Sequence, residues 1–444
     1  MEVLKFGGTS LGSPERMRAV AELIKGDTKK IVVLSAVAGT TNQLVTLAKY
    51  LSKQQAAHAQ EKIEQLSQTY QRFIDELYAS TAMKQKANEL LNVILQVLQS
   101  ALSQNFDPAL EKVLLAQGEL LSTHLFHYYC EEIAMPTCLL PALAFMKTQA
   151  GEPDEPYIAQ AIQQVMTQAG ESAIYITQGY ICRNEEGQID NLRRGGSDYT
   201  ASLIGAAIGA SEIQIWTDID GLHNNDPRLV EKTFPIREIS FAEAAELAYF
   251  GAKILHPSSV LPAQKANIPV RLLNTMAPQA SGTIIHAQAQ PSVNLARAVA
   301  AKDGIIAIKI RSSRMLLAYG FLKKIFEVFE SYRTPIDMIT TSEVAVSLTI
   351  DEASHLPEIL QALRTYAEVE VDYDQTIICI VGNFSKDAAG VAVQVLASLK
   401  AIPLRMISSG GSERNISVLI ESHYKQAALV ALNEALFQAS SIHS

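Results

Sequence analysis

Short runs rich in β-branched residues alternate with longer helical patterns along the first two-thirds of the chain. The runs lie at residues 3–6, 31–35, 173–177, 213–217 and 270–273. Alternation of this kind is typical of βαβ units, in which helices connect parallel strands and cover the sheet. We therefore predict an α/β domain with a mostly parallel sheet in this part of the chain.

A change in composition interrupts this pattern at about residues 52–105, where Gln, Ala, Glu and Lys dominate. Apolar residues recur there at helical spacing, which predicts a helical insertion. The apolar positions are Ile63, Leu66, Tyr70, Phe73, Ile74 and Leu77. Their helical spacing favours a role in core packing over a role in ligand binding.

After about residue 290 the pattern changes to short strands that alternate with single helices in two similar passes. The passes span residues 303–373 and 374–444. Each resembles a ferredoxin-like βαββαβ unit, and a repeat of this size is too small to be a second enzyme. We predict a regulatory or dimerising module that follows a first domain at residues 1–285.

The amino-acid composition argues against some classes of binding partner. The 444 residues carry 37 Lys and Arg against 46 Asp and Glu, a formal net charge of -9, which argues against nucleic acid or an anionic membrane as the main partner. The four cysteines are scattered without metal-ligand spacing, so we predict no protein-held metal site. The N-terminus lacks the apolar core of a signal peptide, and we expect a cytoplasmic protein.

The stretch KFGGTS follows the first strand-like run and precedes a helix start. Ser13 suits an N-cap and Pro14 the first helical position. Gly7 and Gly8 would let the backbone approach phosphoryl oxygens, and Lys5 supplies a positive charge. The residues KFGGTS alone support a phosphate-binding loop and a plain tight turn about equally.

Further polar segments follow in order along the chain. Ser35 and Thr41 come at and after the end of the second strand, where open α/β sheets bind ligands. Glu119 interrupts an apolar helical stretch, where an unpaired carboxylate would be costly. The remaining candidates are Arg194 and Asp198 around a Gly-Gly turn, Thr217, Asp218 and Arg228 in a following segment, and Lys253 in FGAKILHP.

Together these segments resemble the aspartate kinases of the amino-acid kinase family. K-F-G-G-T-S, S-A-x-A-G-T-T-N, G-E-x-x-S, R-G-G-S-D, T-D-x-x-G and D-P-R occur in family order, and two ACT-type repeats follow. The resemblance covers essentially the whole chain and implies a monofunctional, lysine-sensitive enzyme without a homoserine dehydrogenase segment. In this family the ACT pair is interleaved, so the strand at 296–302 is expected to complete the second ACT unit.

The resemblance implies ATP-dependent phosphorylation of the L-aspartate β-carboxylate to 4-phospho-L-aspartate, the first step towards lysine, threonine and methionine. Mg²⁺ would be held mainly by the phosphates of ATP. The implied catalytic residues are Lys5 and Asp198, and the implied aspartate-binding residues are Thr41, Glu119 and Arg194. The implied nucleotide-binding residues are Lys5, Gly7, Gly8, Ser35, Thr217, Asp218, Arg228 and Lys253.

The same resemblance implies feedback inhibition by L-lysine bound to the ACT pair, and a homodimer or larger assembly formed through the ACT units. The implied effector residues are Met315, Gly320, Phe321, Leu322, Ile336, Asp337, Ser342 and Glu343. Charge pattern alone favours Asp337 and Glu343 as solvated loop charges. Threonine, alone or with lysine, stays open as the effector.

Two other functions stay open from the sequence. One is a sister amino-acid kinase that acts on glutamate, acetylglutamate or a nucleotide, and the other is a catalytically inactive ACT-bearing sensor. Several residues also have simpler interpretations: Asp198 as a helix cap, Asp226 as a turn residue, Trp216 as strand packing and His256 as a loop histidine. Arg193 and His223 depart from the usual family pattern.

Overall fold

The computed structural model describes residues 1–192, 195–251, 255–287, 295–311, 319–384 and 390–437. The strands are β1 (Glu2–Phe6), β2 (Lys30–Leu34), β3 (Cys138–Leu140), β4 (Thr148–Gln149), β5 (Glu152–Pro153), β6 (Ile174–Gln178), β7 (Ile181–Arg183), β8 (Ile189–Asn191), β9 (Ile213–Thr217), β10 (Glu238–Ser240), β11 (Val270–Asn274), β12 (Thr283–His286), β13 (Ala296–Arg311), β14 (Ile339–Thr341), β15 (Ala345–Ile350), β16 (Glu368–Gly382), β17 (Met406–Ser409) and β18 (Asn415–Glu421).

Helices connect these strands. They are α1 (Pro14–Ile24), α2 (Thr40–Ser52), α3 (Ala56–Leu77), α4 (Thr81–Ser100), α5 (Pro108–Glu132), α6 (Ala142–Phe145), α7 (Glu155–Ala169), α8 (Gly196–Ile208), α9 (Phe241–Tyr249), α10 (Leu261–Lys265), α11 (Phe321–Ser331), α12 (Leu356–Arg364), α13 (Val391–Ser398) and α14 (Lys425–Phe437). No helix in the described ranges combines the length and the apolar character that a bilayer crossing requires.

The chain divides into two compact units. The first contains Met1–Leu222, Arg237–Phe241 and Leu255–Ala289, and the second contains His223–Ile236, Ala242–Ile254 and Gln290–Ser444. The second unit therefore includes two short segments from within the predicted first domain. The boundaries at 285, 303 and 374 stay predictions.

The first unit is built on an eight-stranded sheet with the order β10-β12-β11-β9-β1-β2-β6-β3. Its pairs are parallel except β11 with β12, which confirms the predicted fold class. The central strand β1 lies between β2 and β9, so the residues that follow these three strands meet at one edge of the sheet. This edge is where ligands bind in open α/β sheets.

The predicted helical insertion is present as α3 and α4, which pack with α2 and α5. All six predicted apolar positions of α3 are buried. Ser13 caps α1 by accepting a hydrogen bond from the Arg16 N–H at 3.3 Å, as the sequence predicts. Within the insertion, the Tyr70 and Thr40 hydroxyl oxygens lie 2.7 Å apart and join α3 to the start of α2.

The second unit contains a six-stranded antiparallel sheet with the order β14-β15-β13-β16-β18-β17. Two stretches that the sequence predicts as separate strands, 296–302 and the run that begins at 304, form the single long strand β13. Its first part, Ala296 to Lys302, pairs with residues Ile377 to Gly382 of β16. Its later part pairs with β15 and with the beginning of β16.

Two apolar clusters cover this sheet. One joins α11 and α12 to β13 and β15, and the other joins α13 and α14 to β16 and β18. The antiparallel strands and the four helices confirm the predicted pair of ferredoxin-like units. The two ferredoxin-like units share one sheet because β13 and β16 each extend through both of them.

Candidate active and effector sites

Lys5 and Asp198 form an ion pair near the centre of the first sheet. The Lys5 Nζ atom lies 2.7 Å from Asp198 Oδ1, and each side chain is only 12% exposed. Asp198 lies in the first turn of α8, where the helix dipole favours a carboxylate. Gly195, rather than Asp198, is the N-cap of this helix, so the helix-cap interpretation of Asp198 is wrong.

The two glycines after β1 have different roles. The Gly7 N–H donates to the Trp216 carbonyl at 3.2 Å, which extends the pairing of β1 with β9 by one residue. The prediction that this N–H contacts phosphate is therefore corrected, because its proton is already used. A Cβ on Gly8 would lie 2.9 Å from the Ala36 carbonyl oxygen, so glycine permits the close approach of two loops. Between the two glycines, Gly8 is the better candidate for a phosphate contact.

Trp216 has the packing role that the sequence predicts. It is buried, and its ring stacks on Phe6 with the centroids 5.7 Å apart. This stack lies next to the Gly7–Trp216 backbone hydrogen bond and stabilises the end of β1.

Hydrogen bonds attach the loop after β2 to strand β1 and to helix α5. The Ser35 N–H donates to the Phe6 carbonyl at 3.2 Å, and the Ser122 hydroxyl of α5 donates to the Ser35 carbonyl at 2.7 Å. A Cβ on Gly118 would meet the Ala36 side chain at 2.9 Å. Helix α5 therefore approaches this loop closely, and Thr41 follows the loop, half-buried in the first turn of α2.

Glu119 is buried on α5, with 3% of its surface exposed. One carboxylate oxygen accepts a hydrogen bond from the Ala36 N–H at 3.3 Å, whereas Oε2 is buried without a partner among the described residues. Burial raises the pKa of this carboxyl to about 7, although the Ala36 hydrogen bond opposes the rise. A buried acceptor with an unused oxygen is suited to a cationic ligand group.

The turn after β6 contains Tyr180, a candidate site residue that sequence analysis missed. Tyr180 has a φ of 67° and its N–H donates to the Thr200 hydroxyl at 3.0 Å. A Cβ on Gly196 would lie 2.4 Å from the Tyr180 ring, so the ring packs against the Gly-Gly turn of the R-G-G-S-D motif. Burial raises the pKa of the Tyr180 phenol, and the charge of Glu119 raises it further. The signal in the sequence was Gly179-Tyr180 directly after a buried strand.

Thr217 and Asp218 lie at and directly after the end of β9. Thr217 is half-buried, and its hydroxyl accepts a hydrogen bond from the Ile219 N–H at 3.2 Å, whereas Asp218 is exposed. Thr275, which sequence analysis did not identify, donates from its N–H to the Thr217 carbonyl at 2.8 Å. These contacts define the backbone at this end of the sheet and leave the Asp218 carboxylate at the surface.

Arg228 is another of the predicted nucleotide-binding residues. Arg228 belongs to the second unit, where its side chain is 86% exposed and forms a bidentate pair with Asp226 at 2.9 and 2.7 Å. The Arg228 N–H also donates to Asp226, which confirms the turn interpretation of that aspartate. Three further predicted residues, Arg194, Lys253 and Met315, lie outside the described residues, as does Arg193.

Most of the predicted effector residues lie in the second unit around α11 and β14. Gly320 is the N-cap of α11 with a φ of 85°, and Phe321 and Ile336 pack in the same apolar cluster. Leu322 is exposed. Ser342 forms a turn with Ala345, and Glu343 is exposed.

Asp337 differs from the solvated loop charge that its pattern suggests. Its side chain is 1% exposed and lies 2.7 Å from the Lys302 ammonium. Burial raises the pKa of this carboxyl, and the Lys302 ammonium opposes that rise. The solvated interpretation is wrong for Asp337, because the fold packs Lys302 of β13 against it.

Comparison with known proteins identifies the family. The chain matches the amino acid kinase family over residues 1–274 and an ACT domain over residues 378–436. It is 34% identical to lysine-sensitive aspartokinase 3 of Escherichia coli over 450 residues, which cover 98% of this chain and 99% of that protein. The chain belongs to the aspartokinases.

The aspartokinase chain is also 33% identical to the chloroplastic aspartokinase 2 of Arabidopsis thaliana, over 98% of its own length and 84% of that protein. Two solved structures of E. coli aspartokinase III have the same fold. The complex with aspartate and ADP (R-state) matches with a TM-score of 0.84 at 33% identity, covering 99% of this chain and 100% of that one. The complex with lysine and aspartate (T-state) matches with a TM-score of 0.82 at 34% identity and the same coverage.

Proposed function

We propose that this aspartokinase transfers the γ-phosphoryl group of ATP to the β-carboxylate of L-aspartate. The Lys5–Asp198 ion pair carries the proposal. It places a largely buried ammonium group near the carboxyl end of the central strand of a mostly parallel sheet, next to a loop whose Gly8 admits close backbone approach. The solved E. coli homologue in complex with aspartate and ADP supports aspartate and an adenine nucleotide as the ligands.

The chemistry needs charge neutralisation and alignment more than a base. A β-carboxylate oxygen attacks the γ-phosphorus, the bond to the β,γ-bridging oxygen breaks, and ADP leaves with that electron pair. The nucleophile is already ionised, so no proton has to be removed. Lys5 would balance the negative charge on the transferring phosphoryl group, and Asp198 would hold the ammonium in place.

The α-groups of aspartate would be recognised separately from its β-carboxylate. Glu119 would accept a hydrogen bond from the α-ammonium through its unpartnered oxygen, and Arg194 would bind the α-carboxylate. Thr41 would donate to the substrate from the first turn of α2. Recognition of the α-groups would set the reach to the β-carboxylate and so disfavour the longer glutamate.

The nucleotide would lie along the edge formed by Gly8, Ser35, Thr217 and Asp218, with Arg228 and Lys253 as further candidates. In the described part of the chain, no group of three or more His, Cys, Asp or Glu side chains could hold a metal ion. Mg²⁺ would be bound mainly by the nucleotide phosphates, with Asp218 as an accessible carboxylate. Mg²⁺ would supply additional neutralisation of the phosphate charge.

Regulation by L-lysine is part of the proposal. It is supported by the likeness to lysine-sensitive aspartokinase 3 and to a solved homologue that contains lysine. The effector would bind residues of α11 and the segment around Asp337, and the ACT units would form a homodimer or a larger assembly. We further propose a cytoplasmic enzyme, with the domain boundaries given in the sequence analysis.

A hydroxylamine trap tests the proposed reaction directly, because it converts acyl phosphates to hydroxamates. With ATP and Mg²⁺, we expect hydroxamate from L-aspartate at a rate far above that from L-glutamate, and little from either with Lys5→Ala. Equal yields from the two amino acids would favour the sister-kinase alternative. No hydroxamate from the wild-type protein, with lysine binding retained, would favour the inactive sensor.

A further inference from the structure

Three side chains of the second unit, those of Asp337, Asp351 and Tyr249, surround the Lys302 ammonium group. Lys302, on β13, has its ammonium 2.7 Å from Asp337 Oδ1 and 2.8 Å from Asp351 Oδ2. The Tyr249 hydroxyl donates to the same Asp337 Oδ1 at 2.9 Å. The Lys302 Nζ atom also lies 4.6 Å from the centre of the Tyr249 ring, within range of a cation–π interaction. We call this group the Asp337 cluster.

The charges of the Asp337 cluster do not balance. Two carboxylates, Asp337 and Asp351, surround one ammonium group, so the group carries an excess negative charge. Both recorded donors use Oδ1 of Asp337, whereas Oδ2 is buried without a partner among the described residues. A second cation would complete both the charge balance and the hydrogen bonding of this carboxylate.

Tyr249 connects the Asp337 cluster to helix α9. Along this helix, Glu243 faces Arg297 of β13 at 3.7 Å, and Glu246 accepts hydrogen bonds from Ser412 and Asn415 at 2.9 and 2.6 Å. Residues three apart lie on one helix face, so all three side chains attach the same face of α9 to the rest of the second unit. Of these attachments, Tyr249 is the one that reaches a proposed effector residue.

We propose that Lys302 and Tyr249 are internal competitors of the effector for Asp337, and that the Tyr249 contact transmits effector binding to helix α9. The proposal rests on the proposed effector role of Asp337. Without effector, the Lys302 ammonium and the Tyr249 hydroxyl occupy Asp337 Oδ1. An effector ammonium at the Oδ2 atom would lie close to the Lys302 ammonium, which repels it, and would share the carboxylate charge on which both Oδ1 contacts depend.

This competition has a consequence for the kinase reaction. Release of the Tyr249 hydroxyl would remove the attachment at the C-terminal end of α9. Lys253, a proposed nucleotide-binding residue, follows Tyr249 within the same segment, Ala242–Ile254. The effector can inhibit only as far as it binds the released arrangement more tightly than the attached one. Tyr249 and Lys302 would therefore set the sensitivity of inhibition.

Titration calorimetry of the full chain with L-lysine tests whether removal of Lys302 or Tyr249 tightens or weakens lysine binding. Removing a competing donor should tighten binding, so we expect the Kd for L-lysine to fall by about tenfold in Lys302→Gln and by about threefold in Tyr249→Phe. The half-inhibitory lysine concentration, normalised to the uninhibited rate of each variant, should fall in parallel. Matched controls are Lys323→Gln and Tyr373→Phe, whose side chains are exposed in the same unit.

Weaker lysine binding by the variants than by the wild type would overturn the proposal. If Lys302 instead binds the effector carboxylate, Lys302→Gln would weaken lysine binding, and unchanged Kd values in both variants would equally exclude competition. If Asp337→Ala binds lysine as tightly as the wild type, or the wild type binds none, the effector role of Asp337 itself fails. Those results identify a failure of the proposed function rather than of the competition alone.

Hydrogen exchange gives an independent readout of transmission. Saturating lysine should raise the amide exchange rate of the C-terminal half of α9 in the wild type. In Tyr249→Phe, exchange there should already be faster without lysine and should change less on addition. Exchange that stays constant in the wild type, with lysine bound, would overturn the transmission through α9.

Discussion

The Glu119 carboxylate accepts a hydrogen bond at 3.3 Å from the backbone N–H of Ala36, in the loop that follows β2. This contact joins the long helix α5 to the ligand-binding edge of the first sheet. The other carboxylate oxygen is buried and has no partner in the described part of the chain. Glu119 is therefore held in place and has one acceptor available for a ligand.

The first prediction is a pH dependence of aspartate use. Because the pKa of Glu119 is raised to about 7, the free enzyme carries a neutral carboxyl below that pH and a carboxylate above it. The substrate ammonium needs the carboxylate, so kcat/KM for aspartate should rise towards pH 7 and level off above it. Steady-state rates between pH 5.5 and 9 check this. In Glu119→Gln, kcat/KM should be lower and lack this rise, and a profile identical to wild type would contradict the assignment.

The second prediction concerns the stability cost of the same group. A carboxyl with a raised folded-state pKa stabilises the fold least when ionised, so its stability contribution falls as pH rises from the ordinary glutamate pKa of 4.5 to about 7. Glu119→Gln should therefore increase the free energy of unfolding by about 2–3 kcal/mol at pH 8 and by much less at pH 5. Urea unfolding at the two pH values measures this difference. Glu64→Gln, exposed on α3, should show no such dependence.

The third prediction separates the two members of the Lys5–Asp198 pair. Lys5→Ala should lower kcat by about 10²–10³-fold, because transition-state charge on the phosphoryl group is no longer balanced. Asp198→Asn keeps the shape of the side chain but releases the ammonium, and should lower kcat less. Steady-state kinetics at saturating aspartate and ATP measure both. Turnover near the wild-type value in Lys5→Ala would rule out the phosphate role of KFGGTS.

The fourth prediction compares the two neighbouring glycines. A Cβ on Gly8 would lie 2.9 Å from the Ala36 carbonyl oxygen, whereas the nearest atom to a Cβ on Gly7 is the Lys5 ammonium at an ordinary 3.5 Å. Gly8→Ala should therefore destabilise the fold by about 1–3 kcal/mol and reduce activity strongly. Gly7→Ala serves as the matched variant and should be the milder change in unfolding and activity assays. Equal effects would mean that the loops do not need their close approach.

Local patterns in the sequence were sufficient for much of the fold. The β-branched runs predicted five of the eight strands of the first sheet, and Ser13 with Pro14 predicted the start of α1. These features depend on neighbouring residues, through side-chain branching, backbone restriction and capping hydrogen bonds. Parallel pairing then carried Gly8 and Ser35 to one edge, since equivalent strand ends meet there.

The sequence by itself thus determined the family motifs, the alternation of strands and helices in the first domain, and the repeat. Only the tertiary structure decided which charges are buried and paired. Asp337 is a loop charge by its pattern, yet Lys302 and Tyr249 enclose it from distant segments. The Gly7 N–H is an available donor by its pattern, yet β9 brings the Trp216 carbonyl to it. Burial and pairing depend on segments far apart in the chain, whose approach no short stretch of residues specifies.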